Sequence, residues 1–217
     1  MRKIAPFISV FLFLLLWAFL AWLKIIPLPG PQDVIKSFFS LIFFKEPITN
    51  LTLVEHAFAS LGRVLWGTMI AFALSVPLGI LMGWYKIFDA FLKPIVELLR
   101  PIPPLAWLPL AIILFGKTGP IFIVFVCAFF PVLLNTILGV KNTDKTLIDA
   151  AKIFGATNKQ IIFKILIPSS LPYILTGARV GLGISWMAIV AAEMIVFSTA
   201  GLGFFLITMY DLSLIHI

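Results

Sequence analysis

The sequence predicts an all-α protein that crosses a lipid bilayer several times, and three observations predict it. Of the 217 residues, 62% are hydrophobic and only 12% charged, with a mean hydropathy of +1.15, a balance that leaves too little polar surface to face water. Apolar stretches near the roughly 20 residues that a helix needs to cross hydrocarbon recur along the chain. Basic residues gather in alternate connecting segments, as they do in loops on the cytoplasmic side of a membrane. The net charge of +7 is therefore read as loop asymmetry, and no nucleic-acid partner is expected.

Arg2 and Lys3 precede an apolar run over residues 4–23. A signal peptide shares that layout, but its apolar core spans only about 7–15 residues, so the run is read as a retained first transmembrane helix. Lys24, Pro27 and Pro29 end it. Residues 31–44 set Val34, Ile35, Phe38, Phe39 and Ile42 at helical spacing against Gln32, Lys36 and Ser40, which predicts an amphipathic segment lying along the outer surface. These two pieces make a unit over 1–56, and the remainder, 57–217, makes a second.

A second span is predicted over 57–82, with Pro77 near its far end and Gly79 and Gly83 four residues apart, a spacing that lets helices approach closely. Residues 85–100 read as a cytoplasmic loop. The third span, 102–115, is short and interrupted by Pro103, Pro104 and Pro109. Irregular backbone at membrane depth persists where protein or a water-filled cavity satisfies it, so Pro103 and Pro104 are candidates for the transport path. Residues 116–119 form a tight turn. Gly116-Lys117-Thr118 imitates the end of a phosphate-binding loop, but Ala111 stands where its first glycine is required. A fourth span covers 120–140, a polar stretch 141–168, and a fifth span 171–197, with Ser169 and Ser170 as its possible caps. If the N-terminus is cytoplasmic, the inner segments hold Arg2, Lys3, Lys86, Lys93, Arg100, Lys141, Lys145, Lys152, Lys159 and Lys164, and the outer ones only Lys24, Lys36, Lys45 and Lys117.

The polar stretch has content of its own. Asp144 can cap a short helix with Leu147, Ala151 and Phe154 on one face, Gly155 permits a sharp reversal, and Thr157 with Gln160 has capping-box spacing for a second short helix presenting Ile161, Ile162 and Ile165. Two amphipathic helices at a bend make a knob shaped to enter a partner's groove.

At these residues the chain resembles the permease family of ABC importers, whose signature reads Glu-Ala-Ala, three residues, Gly, nine residues, Ile, one residue, Leu-Pro. Asp149-Ala150-Ala151, Gly155, Ile165 and Ile167-Pro168 keep the spacing, with Asp149 in place of Glu and Ile167 in place of Leu. Arg100-Pro101-Ile102-Pro103-Pro104, Phe129-Phe130-Pro131 with Asn135, and Ala191-Ala192-Glu193-Met194 with Gly201-Leu202-Gly203 are similar to the nitrate, sulfonate and taurine branch. The resemblance implies a type I ABC importer transmembrane fold in the bacterial cytoplasmic membrane, multi-pass, with Asp149, Ala150, Ala151, Gly155, Ile165 and Pro168 coupling it to an ABC ATPase subunit. It also implies a periplasmic or extracellular substrate-binding protein, a second permease copy, expected as a homodimer, surrounding membrane lipid, and a small anionic or organic solute. ATP hydrolysis is assigned to the separate subunit, so the chain itself is not expected to be an enzyme. Such permeases have six spans; five are readable, and the tail 211–217 resembles no part of the family.

Ionisable groups inside a bilayer are costly, so Arg63 and Glu193 are expected to face protein or water, either paired near the outer mouth or separately solvated. Asn135, Ser185 and Trp186 are further pathway candidates. Cys127 is the only cysteine, which excludes an intrachain disulfide; no metal or cofactor is expected. A secondary transporter is the alternative reading, but only Glu193 offers an acidic group near membrane depth. A hydrolase lacks a nucleophile and base pair, since His56 and His216 are placed outside the spans.

Overall fold

The computed structural model describes residues 5–23, 29–46, 48–196 and 199–211. Arg2, Lys3, Lys24, Pro27, Phe197, His216 and the tail beyond 211 lie outside those residues. Helix α1 (Ala5–Trp22) is apolar on every side, and its side chains remain largely exposed, as they do on a helix solvated by lipid. Trp17 Nε1 donates to the Pro29 carbonyl at 3.2 Å and ties α1 to the start of α2 (Pro31–Phe43), which buries none of its residues. The connection to α3 is organised by Glu46, whose carboxylate accepts the N–H groups of Ile48 at 3.0 Å and Thr49 at 2.6 Å. Burial pushes the Glu46 carboxyl up, but those hydrogen bonds outweigh it and hold the group below its ordinary value.

Helix α3 (Leu53–Trp84) starts four residues before the predicted span, and the reason is chemical. Thr52 and Glu55 form a reciprocal capping box: Thr52 N–H donates to Glu55 Oε2 at 2.6 Å, and Glu55 N–H donates to Thr52 Oγ1 at 3.2 Å. His56 consequently lies inside the helix. Residues predicted as a loop between the second and third spans instead form α4 (Lys86–Leu99), an amphipathic helix whose Val96 is buried. Its charges Asp89, Lys93 and Glu97 recur every four residues, a helical spacing that the loop reading passed over.

The third span is irregular, as its prolines predict. A 3-10 turn (Pro104–Trp107) leads into α5 (Leu108–Phe115), together about 20 Å and well short of the hydrocarbon thickness. The chain then reverses at Gly116, whose φ of 55° lies in the left-handed region. Helix α6 (Gly119–Lys141) returns alongside, and Leu108 and Ala111 pack with Ile123 and Cys127. After α7 (Lys145–Ile153), α8 (Asn158–Ile161) runs through a π-turn (Ile162–Leu166) into α9 (Ile167–Ile195). The fifth span is thus the end of a 38-residue helical stretch beginning at Asn158. Ser169 and Ser170 cap nothing: they lie inside that stretch, and Ser170 Oγ donates back to the Leu166 carbonyl at 2.7 Å. The widened turn sits directly ahead of Pro168, whose ring supplies no N–H to the carbonyl four residues back. A further helix, α10 (Leu202–Asp211), follows beyond the five spans read from the sequence.

Three stretches among the described residues are long and apolar enough to cross a membrane: Leu53–Trp84, Pro104–Lys141, which contains the reversal at Gly116, and Asn158–Ile195. Small residues set their packing. A Cβ at Gly67, Gly79 or Gly83 of α3 would fall 2.5–2.6 Å from Val124, Thr136 or Val140 of α6, so the numbers rise together and the helices run parallel. Against α9 the order reverses: Gly139 of α6 abuts Ser170, while Gly177 and Gly181 of α9 abut Val132 and Ala128. Helix α9 lies antiparallel to both partners, with Val64, Val124 and Ile189 meeting where the three join.

Candidate functional sites: a bent protrusion and a buried carboxylate

The protrusion is built by caps. Asp144 Oδ1 accepts the Thr146 N–H at 2.8 Å and starts α7. At the other end Gly155, with φ 78°, donates its N–H to the Lys152 carbonyl at 2.9 Å, and the Ala156 N–H reaches the Ala151 carbonyl at 3.0 Å. That pair of bonds is a Schellman stop, and it needs the left-handed conformation that glycine adopts without strain. Two residues later Thr157 and Gln160 form a second capping box, with Thr157 N–H donating to Gln160 Oε1 at 2.8 Å. A helix stop and a helix start separated by so little chain leave the elbow almost no freedom.

The elbow's inward face is Ile148, Ile161 and Leu166, buried against Ile80 and Val140. Ile161, Ile162 and Ile165 therefore anchor the protrusion to the bundle, and the sequence expectation that they are presented to a partner is corrected. The presented apolar groups are Ile153, Phe154 and Phe163, which are 84%, 90% and 70% exposed. Leu147 and Phe154 are exposed and Ala151 is half-buried. Ala151, Gly155 and Ile165 line one shallow notch with Phe154, Gln160 and Lys164. Asp149 is exposed and 3.7 Å from Lys152, a pairing of little energetic weight in water. Ala150 is half-buried, and Pro168 is exposed in the first turn of α9.

The second site is a carboxylate with no access to solvent. Glu193, near the end of α9, is 0% exposed and is paired with Arg63 of α3. Ser60 Oγ donates to the same carboxylate, 2.8 Å from Oε2, and accepts the Leu202 N–H at 2.8 Å. The Gly203 N–H donates to Glu193 Oε2 at 3.1 Å. One side chain thereby staples α3, α9 and the start of α10. Glycine is required on the α10 side: Gly201 has φ 140°, and a Cβ there would lie 2.5 Å from Glu193 Cδ. Beside the staple, His56 Nδ1 accepts the Gly201 N–H at 3.1 Å, and its Nε2 lies 3.2 Å from Thr49 Oγ1.

His56, Ser60 and the two glycines were not singled out as site residues in the sequence, although a signal exists: His56, Ser60 and Arg63 fall at i, i+4 and i+7, one face of a helix. Of the remaining pathway candidates, Asn135 Nδ2 donates to the Pro131 carbonyl at 2.8 Å, and Ser185, fully buried, lies 3.3 Å from the Val124 carbonyl. The Asn135 bond lies within α6, and the Ser185 bond crosses from α9 to α6. Trp186 and Pro103 are exposed and Pro104 half-buried. Among the described residues no group of His, Cys, Asp and Glu side chains could hold a metal ion.

Known proteins share this arrangement of sequence. A protein of Methanocaldococcus jannaschii is 49% identical over 164 residues, which are 75% of this chain and 61% of that relative. The nitrate import permease protein of Synechocystis sp. is 38% identical over 219 residues, covering 99% of this chain and 79% of the relative. The taurine transport system permease protein of Escherichia coli is 39% identical over 196 residues, covering 88% and 70%. The binding-protein-dependent transport system inner membrane component family matches residues 75–216, running into the tail that the sequence reading set apart. With that match over more than half of its length, and relatives of this identity over most of it, the chain belongs to the family of inner membrane components of binding-protein-dependent transport systems.

Proposed function

We propose that this chain is the membrane-spanning permease subunit of an ATP-driven importer, and that the elbow at Gly155 is where an ATPase subunit grips it. The observation that carries the reading is the exposure of Ile153 and Phe154 on a backbone fixed by two caps. Large apolar groups held out on a rigid, charge-flanked bend are suited to a protein groove rather than to water. Asp149, Ala150 and Ala151 would contribute the α7 side of that contact, while Gly155, Ile165 and Pro168 hold its angle. The ATPase subunit, an external substrate-binding protein and a second permease copy complete the assembly, a reading supported by membership of the binding-protein-dependent family.

The elbow is placed in the cytoplasm together with the N-terminus, on the strength of the basic residues in its flanking segments. The end that carries Glu193 then faces outward, and there the Arg63–Glu193 pair, with α10 attached, serves as an outer closure. Pro103 and Trp186 are exposed pathway candidates, and Pro104, Asn135 and Arg63 are half-buried ones. Since relatives are named for nitrate import and taurine transport, the substrate class is a small anionic or zwitterionic solute. A secondary transporter would need a carboxylate free to take up an ion or proton; Glu193 is instead already engaged by Arg63.

The test is Gly155→Val in the assembled transporter. Substrate-stimulated ATP hydrolysis is expected to fall at least about tenfold while membrane insertion is unchanged, because a β-branched residue resists φ near +78°. Wild-type stimulation in that variant overturns the coupling role. Placement is tested with Phe154→Cys in a Cys127→Ser background: an impermeant maleimide labels it only from the cytoplasmic side.

A further inference from the structure

We propose that His56 is a proton-sensitive latch that holds the start of α10 against α3. The imidazole has one lone pair on each unprotonated ring nitrogen, so a nitrogen that accepts a hydrogen bond carries no proton. Nδ1 accepts from the Gly201 N–H at 3.1 Å, which assigns the proton to Nε2. Nε2–H then donates to Thr49 Oγ1 at 3.2 Å, and the Thr49 hydroxyl in turn donates to Glu46 Oε2 at 2.9 Å. Every donor in this chain has one acceptor, and the direction of the whole chain is set by the neutral ring. A second proton has one place to go, Nδ1, and there it would oppose N–H to N–H.

Proton uptake and release of Gly201 are therefore one linked step: the held form excludes the proton and the released form accepts it, so acidification favours release. The surroundings do not supply another escape. The charged groups near the ring are Glu46 from the preceding loop, Glu55 on its own helix and Glu193 from α9, whose charge Arg63 meets, while α10 contributes the rings of Phe204 and Phe205. The ring itself is 0% exposed. Gly201 has φ 140°, and a Cβ there would lie 2.5 Å from Glu193 Cδ and 2.7 Å from Arg63 Nη1, so the turn that His56 holds is packed directly against the ion pair. Once the His56 bond is lost, the Gly201 N–H has lost its acceptor, while the Leu202 and Gly203 N–H groups keep theirs on Ser60 and Glu193. The latch stands on this geometry; only its being driven by the acidity of the outer medium rests on the outward placement proposed above.

The experiment is hydrogen–deuterium exchange on the full-length protein in lipid nanodiscs, at pH 7.5 and pH 5.0, with rates corrected for intrinsic exchange. It compares wild type, His56→Asn and His56→Ala. The Asn carboxamide oxygen takes the place of Nδ1 as an acceptor that does not titrate. Wild type is expected to lose protection over residues 199–205 by about tenfold or more on acidification, in line with loss of one buried hydrogen bond. His56→Asn keeps its protection at both pH values, and His56→Ala lacks it at both. Unchanged wild-type protection, or acid loosening of His56→Asn equal to wild type, overturns the latch. A Tyr210→Cys, Cys127→Ser variant in sealed vesicles separates the two readings: labelling from the cytoplasmic side alone defeats the outward placement and leaves the latch standing.

Discussion

The Glu193 staple shows how much one residue can organise. A buried carboxylate is tolerated because Arg63, the Ser60 hydroxyl and the Gly203 N–H surround it, and each partner removes part of the desolvation cost. The order of mutational effects follows from which charge is left alone. Arg63→Ala strands the carboxylate in the interior and is expected to destabilise the protein by about 3–5 kcal/mol. Glu193→Gln leaves the cation, which is 19% exposed and can reach water, so it is expected to cost less, even with its amide N–H2 facing the Gly203 N–H. Thermal unfolding in one detergent, comparing both variants with wild type, checks the order. Gly203 belongs to the same account: a Cβ there would sit 2.0 Å from the Val190 carbonyl oxygen, so its neighbourhood has no room for a side chain.

Among elements, the legible ones were those whose ends carry local chemistry. The α7–α8 bend was readable because Asp144, Gly155, Thr157 and Gln160 each act within a few residues of themselves. The same logic applied to Thr52 and Glu55 would have placed the start of α3 correctly; Thr52→Ala is expected to cost about 1 kcal/mol, read as a lowered melting temperature and faster amide exchange over 53–56. Helix α4 was not legible because charges such as Lys86, Lys93 and Arg100 fit a cytoplasmic loop as well as they fit the polar face of an amphipathic helix. Continuity through Pro168 was missed for a different reason. Serines beside prolines usually mark a helix start, yet here a π-turn and the Ser170 back-bond absorb the missing N–H, which is a tertiary solution that no local pattern announces. The inward role of Ile161 also depends on packing against Ile80 and Val140, residues far away in the chain.

At the level of the whole molecule, the core is a close-packed trio in which glycine sets the spacing. Gly177 of α9 faces α6 backbone, and a Cβ there would lie 2.8 Å from the Pro131 carbonyl oxygen and 2.9 Å from Val132 Cα. Gly177→Val is expected to cost about 3 kcal/mol through backbone overpacking and to reduce the yield of folded protein in membranes, whereas Gly183→Ala, where nothing lies within 4 Å, is expected to leave the yield unchanged. The class of fold could be read from hydropathy alone, but the parallel pairing of α3 with α6 could not, because it depends on which small residues face each other across the chain. The stretch from Asn158 to Ile195 spans 38 residues, or about 57 Å, and it begins at the elbow and ends beside Glu193. Such a rod behaves as a lever: tilting it by about 5° swings its far tip by about 5 Å. Its stiffness is weakest at the widened turn before Pro168, so the compliance of those five residues sets what fraction of a push at one end is delivered as travel at the other.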